Sequence, residues 1–321
     1  MTTSWIEEPP PAAALRRGPV PARVGNVLVG TASWTERTLL ESGAFYPPAV
    51  RTAERRLRYY ARHFPVVEVD ASYYALPQPR TAAAWVERTP PDFVFGVKAF
   101  AALTGHPIEP ARLDRDLRAA LPRRPRLSAR ELPAPVRDAI WERFRAALEP
   151  LRAAGKLGYV LLQMPPWFVP SPASDAVLDD FARRLPDVPA AVEFRAAGWL
   201  AEGRRARTLA ALRERGLAYV CVDEPQGTRA SVPPVAAVTT PALAVVRFHG
   251  RRRETWDRPG VATTERFGYL YAPAELAEWV EPIRRLAAEA RRVCVLMNNC
   301  HRESAVRNAK ELAELLLEPG A

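Results

Sequence analysis

Eight short apolar runs punctuate this chain, and each ends on or beside a polar or charged residue. They occupy residues 27–30, 66–70, 93–98, 159–163, 190–195, 217–223, 243–249 and 293–299. At their C-terminal ends stand Thr31, Glu68 with Asp70, Lys98, Gln163, Glu193 with Arg195, Asp223, Arg247 with His249, and Asn298 with Asn299. Helical spacing of apolar residues marks 53–63, 81–88, 136–154, 175–184, 204–215, 273–290 and 304–317. Eight β-then-α units predict an α/β fold, a single (β/α)8 TIM-type barrel. In that architecture the C-terminal strand ends converge on one face and the active site is assembled there.

The chain has 321 residues, 48% of them hydrophobic. That accommodates one barrel of roughly 250 residues with insertions. The barrel is expected over 25–317, with a Pro- and Arg-rich insertion at 107–135 after strand three. This insertion reads as a mobile loop broken by a short helix, and loops of such length often serve as lids or binding elements. Residues 1–24 carry Glu7, Glu8 and three consecutive prolines where a signal peptide needs an apolar core, which predicts a disordered tail on a cytoplasmic protein. No apolar stretch approaches the ~20 residues of a membrane span, so no membrane partner is expected. Cys221, Cys294 and Cys300 form no paired framework.

Formal net charge is +10, and only Lys98, Lys156 and Lys310 among the 46 basic residues are lysine. The surplus fits either an anionic partner or a plain solvated surface.

Side chains alternate along a strand, so Glu68 shares a face with Asp70, Glu193 with Arg195, Cys221 with Asp223, and Arg247 with His249. Buried charges cost several kcal/mol unless paired. The cluster therefore points to chemistry, or to mutual pairs such as Glu193–Arg247 that brace the mouth. Glu68, Lys98, Glu193, Asp223 and His249 are the candidate acid–base groups. Lys98 is equally an anion contact or an ion-pair partner of Glu68. His106 is a second possible proton carrier. Gln163, Asn298 and Asn299 offer amides to orient a ligand, and Trp34, Tyr73, Tyr74 and Trp199 offer stacking faces. Asp70, Arg195, Arg247 and Arg251 complete the expected binding set. Arg251-Arg252-Arg253 follow strand seven, where barrels often hold phosphate, and Gly250 would let backbone approach the anion. A divalent metal is not favoured, because Lys98, Arg195 and Arg247 would share the space with the carboxylates.

The pieces Gly30-Thr-Ala-Ser-Trp34, Phe45-Tyr46-Pro47, Val67-Glu-Val-Asp70, Ser72-Tyr73-Tyr74, Leu76-Pro77 and Phe93-Val-Phe-Gly-Val-Lys98 occur in this order. They continue through Thr104-Gly105-His106, Lys156-Leu-Gly-Tyr-Val-Leu-Leu-Gln163, Val192-Glu-Phe-Arg195, Val246-Arg-Phe-His-Gly250, Asn298-Asn299 and Arg307-Asn308-Ala309. As an ordered set they resemble the domain of unknown function 72 family, the YecE-like proteins. The resemblance covers residues 25 to 317 and implies a barrel without an established activity. It departs at Cys300-His301-Arg302-Glu303, where the family commonly continues with His-Tyr and a Gly-containing turn. The 107–135 insertion is also longer and more basic than usual for the family.

Three functions fit these residues. One is an enzyme doing acid–base or hydrolytic chemistry on an anionic or phosphorylated small molecule. The second is a nucleic-acid-binding phosphodiesterase or repair-type enzyme, with the Arg-rich segments on the backbone. The third is a non-catalytic ligand-binding protein. No sequence signal sets an oligomeric state.

Overall fold

A computed structural model of the chain describes residues 22–318. Eight parallel strands close into a barrel: β2 (Val27–Thr31), β3 (Val66–Val69), β4 (Val94–Lys98), β5 (Leu157–Gln163), β6 (Ala190–Glu193), β7 (Ala218–Asp223), β8 (Ala244–Phe248) and β9 (Val293–Met297). Strand order follows chain order, and β2 pairs with β9 from Val27↔Val293 to Thr31↔Met297 to seal the ring. Every one of the eight apolar runs is a barrel strand, as the repeated strand-ending motif predicts. β1 (Arg23–Val24) is an antiparallel flap on β2, turned by Gly25 at φ 58°. Arg23 and Val24, assigned to the tail by composition, therefore belong to the sheet, and Arg23 ion-pairs with Asp92. The rest of the expected tail, residues 1–21, lies outside the described residues.

Helices cover the outside because their apolar residues fall on one stripe. Helix Ala134–Ala153 buries Val136, Ile140, Trp141, Phe144, Ala147, Leu148 and Leu151. Helix Ala53–Tyr60 begins where the Thr52 hydroxyl accepts from the Arg55 N–H at 3.2 Å, an N-cap interaction. Its Tyr60 reaches the barrel wall, accepting from the Thr31 N–H and donating to the Val66 carbonyl. The helix expected over 273–290 is two pieces, Pro273–Ala277 and Val280–Glu289. The break falls at Glu278 and Trp279, both drawn toward the end of β7 by polar contacts. Among the described residues, no helix is long and apolar enough to cross a membrane.

The 107–135 insertion is packed rather than loose. Leu113, Leu117, Leu121, Leu127 and Leu132 are buried, Ile108 bridges to Leu127, and Ser128 with Glu131 forms a capping box. Arg143 holds Asp114 and Asp116, and Arg124 holds Glu131. Its many prolines and arginines hid a leucine at every fourth to sixth position, which is what anchors it.

Candidate functional site

Side-by-side partners in a parallel sheet share a face, so register decides which strand-end residues enter the barrel. Glu68, Gly96 and Tyr159 lie in one row; Gln163 pairs with Glu193, and Val222, Arg247 and Leu296 lie in another row. Gly96 is needed for space: a Cβ there would stand 2.4 Å from Cζ of Tyr159. With glycine present, the Tyr159 hydroxyl donates to Glu68 at 2.9 Å.

Arg247 is the hub. Fully buried, it donates to Glu193 at 2.5 Å and to Glu68 at 2.6 Å. Glu193 also accepts from Gln163 at 2.6 Å and from Arg195 at 3.3 Å. His249 contributes a further donor: Nε2 lies 3.1 Å from Glu193, and the Asn298 amide nitrogen lies 2.9 Å from Nδ1. Those partners fix a neutral imidazole that donates from Nε2 and accepts at Nδ1. Burial pushes His249 down to about 4, against the opposing pull of Glu193. Burial would raise Glu193, but Arg247, His249 and Arg195 outweigh it and hold the carboxyl well below its usual range. In Glu68 burial prevails over Arg247 and the pKa rises.

A residue that sequence reasoning passed over joins this set. Asp223 pairs with Phe248 in register, so the following residue, Glu224, stands level with His249. Glu224 is buried, accepts from the Val232 N–H at 2.7 Å, and lies 3.2 Å from Arg195. Burial lifts its carboxyl to about 8, although Arg195 opposes the shift. Sequence carried no signal for it: only the Val222↔Arg247 register between β7 and β8 sets the parity that places Glu224 inward.

The same parity turns the expected Cys221–Asp223 column outward. Cys221 contacts the Ala237 carbonyl, and Asp223 accepts from Tyr271 at 2.6 Å, Trp279 at 2.7 Å and Arg251 at 2.7 Å. Arg251 also holds Glu278, so it braces the helix layer instead of waiting for an anion. The Gly250 N–H is likewise engaged, donating to Tyr271 at 2.8 Å. Gly250 is required there by φ 89° and by Tyr269, 2.6 Å from where a Cβ would sit. Asn299 is buried behind the barrel wall and donates to the Tyr269 carbonyl and to Asn308. Trp199 is stacked against Phe194 and Phe168, with its indole on the Phe168 carbonyl, and offers no face to the mouth. Trp34 packs edge-on against Trp85.

The rim that remains is formed by Asp70, Tyr73, Tyr74, Lys98, His106 and Arg195. Lys98 pairs with Asp70 at 3.6 Å, not with Glu68, and sits 4.8 Å above the Tyr73 ring. Arg195 lies over Trp256 at 4.6 Å. His106 is held by Thr104 at 2.9 Å, and burial drives it down to about 3. Arg247 Nε is buried without a hydrogen-bond partner, and the buried Asp70 and Glu224 oxygens that lack one face cations, 3.6 Å from Lys98 and 3.2 Å from Arg195. A cavity of about 490 Å³ belongs mostly to the outer network: Asp223, Arg251, Glu278 and Trp279 line it, together with Glu224 and Arg253. A cavity of about 690 Å³ lies at the other end of the barrel, between helices Ala134–Ala153 and Pro172–Arg184, and touches none of this chemistry. Among the described residues no group of three or more His, Cys, Asp or Glu is arranged to hold a metal ion.

Residues 28–320 match a family described as "Protein of unknown function DUF72". The chain is 32% identical over 293 residues to the UPF0759 protein YunF of Bacillus subtilis (strain 168), spanning 90% of this chain and 94% of that one. Similar solved structures are two DUF72 family proteins. One, from Enterococcus faecalis V583, has a TM-score of 0.73 and 26% identity, covering 92% of this chain and 97% of its own. The other, from Thermotoga maritima MSB8, has a TM-score of 0.71 and 28% identity, covering 91% and 99%.

Proposed function

The chain belongs to the DUF72 family, and within it we propose an enzyme that performs acid–base or hydrolytic chemistry on an anionic or phosphorylated small molecule at the C-terminal mouth. The observation that carries this reading is spare donor capacity on two cations at the rim. Among the described residues, Lys98 Nζ makes no hydrogen bond and only a 3.6 Å ion pair with Asp70, and Arg195 meets Glu193 at 3.3 Å and Glu224 at 3.2 Å through a single nitrogen. Both side chains stay partly open, at 13% and 11% exposure. An ammonium and a guanidinium with free donors, in a site walled off from bulk water, favour an anion.

Beneath them the network divides the roles. Glu193 is saturated by Gln163, Arg195, Arg247 and His249, and both ring nitrogens of His249 are engaged, so these groups position the others. Glu68, held by Tyr159 and Arg247, does the same from across the barrel. Glu224, whose buried carboxyl is pushed up to about 8 and has one oxygen 3.2 Å from Arg195, is the proton donor of the set. Asp70 is the acceptor nearest Lys98. Asp223 and Arg251 lie outside this chemistry.

A thermal-shift screen of phosphorylated and carboxylated metabolites tests the reading. Stabilisation of the wild type by an anion, lost in both Lys98→Ala and Arg195→Ala, is the expected result. Glu224→Gln should keep that stabilisation and lose turnover. Binding without turnover of any ligand that binds would assign a non-catalytic binding protein. Tight oligonucleotide binding with a steep salt dependence would replace the small molecule with a polynucleotide. Arg251 argues against that outcome, since it is committed to Asp223 and Glu278.

A further inference from the structure

Three consecutive strand-end segments place aromatic rings in a continuous arc along one side of the mouth. Tyr74 stands 5.0 Å from Tyr73, Tyr73 stands 5.3 Å from His106, and His106 stands 5.9 Å from Trp167. These rings come from the segments after β3, β4 and β5. The two ends of the arc are open, Tyr74 at 48% and Trp167 at 52% exposure. Large aromatic side chains that exposed rarely border a charged cleft without a partner, because each leaves apolar area in water that a ligand face would cover. Elsewhere the same residue types are used for packing: Trp141, Trp199, Trp256 and Trp279 are buried.

The arc runs beside the cations. Lys98 lies over the Tyr73 ring at 4.8 Å, and the charges of Lys98 and Arg195 both act on His106. His106 is neutral and its Nδ1 is taken by Thr104, which leaves Nε2 without a hydrogen bond among the described residues. The mouth thus offers, within one surface, ring faces for stacking, two cations for a negative group, and polar atoms for hydroxyls.

We infer that the ligand is a ring-bearing anion, with its negative group on Lys98 and Arg195 and its ring against Trp167, His106 and Tyr73. This rests on the anion reading above and goes beyond it by excluding acyclic anions as the preferred class. A sugar phosphate, a uronate and a mononucleotide share that chemistry.

The experiment compares the full-length protein with matched ligands of similar charge, following tryptophan fluorescence and thermal shift. Glycerol 3-phosphate and inorganic phosphate form the acyclic arm. Glucose 6-phosphate and glucuronate form the sugar arm, and AMP the nucleotide arm. At least one cyclic arm should bind tenfold or more tightly than the acyclic arm. Trp167→Ala should cut that preference fivefold or more while leaving inorganic phosphate affinity unchanged. Tyr74→Ala, at the other open end, should cut it less. Both residues are exposed, so neither substitution threatens the fold. Equal affinity for cyclic and acyclic anions, or a preference untouched in Trp167→Ala, overturns the ring-bearing ligand and leaves the anion reading standing. No binding by any arm overturns both.

Discussion

Two arginine–carboxylate networks sit a few residues apart at the ends of β7 and β8, and they serve opposite ends. Arg247 faces into the barrel, ties Glu68 to Glu193, and keeps a buried Nε without a partner. Arg251, four residues later, ties Asp223 to Glu278, and Asp223 also accepts from Tyr271 and Trp279. Similar residue types are used in both. The inner network leaves donors and a protonated carboxyl near the mouth, whereas in the outer one every Asp223 oxygen is spoken for by the helix layer. Charge at a strand end is therefore no evidence of function until its face is known.

The largest expected effect is on the inner hub. Arg247→Met strands Glu68 and Glu193 together and should destabilise the protein by about 3–5 kcal/mol, the range for breaking a buried pair. Anion binding should fall with it. Urea denaturation beside ligand titration reads both, and a loss below about 1 kcal/mol would make the inner network as dispensable as a surface pair.

Next in size is a pH effect carried by Glu224. Its folded pKa near 8 lies above the 4.5 of an ordinary glutamate, so the unfolded chain gives up this proton first. Stability should decline from about pH 4.5 to about pH 8 and then level off, by up to about 5 kcal/mol if this group acts alone. Glu193 works the other way: its depressed pKa contributes stability above about pH 4.5 that is lost as acid titrates it. Glu224→Gln should flatten the alkaline decline and spare the acid limb. An unchanged slope in that variant would mean the carboxyl is already ionised at neutral pH.

On the outer network, Asp223→Ala leaves the Tyr271 hydroxyl and the Trp279 indole without their acceptor. We expect a loss of about 1–3 kcal/mol, with anion affinity at the mouth unchanged. A drop in affinity would show that the two networks communicate through β7. The smallest effect belongs to Arg251→Ala, at about 1 kcal/mol or less, because Asp223 keeps two other donors and Arg251 is partly solvated. If anion binding vanished in this variant, the arginines after β8 would regain the phosphate-holding role their position suggested.

The barrel was legible because a parallel strand buried on both faces must read as an apolar run, and eight such runs alternate with helical stripes. Tyr159 and Gly96, by contrast, look like ordinary strand residues. Only when β4 and β5 are in register does the missing Cβ of Gly96 explain how the tyrosine ring reaches Glu68. Asp223 and Glu224 show the same limit from the other side. They are adjacent acids at one strand end, and a single residue of parity sends one to the helices and the other to the mouth. The insertion taught a further lesson, since its prolines and arginines dominate the composition while its spaced leucines decide the packing.

Sequence alone determined the strand count, the closed parallel architecture and the end of the barrel where polar groups gather, because period-two burial and helical stripes are local properties of the chain. It also named the pair Glu193–Arg247 and set Glu68 among the groups converging at the mouth, since charges on buried strands have few places to go. Tertiary structure decided which carboxyl meets which cation. It paired Lys98 with Asp70, gave Asp223 to the helix layer, brought Glu224 beside Arg195, and lined up Tyr74, Tyr73, His106 and Trp167. Those outcomes depend on register and on loops from different strands meeting in space, and no window of sequence contains both partners.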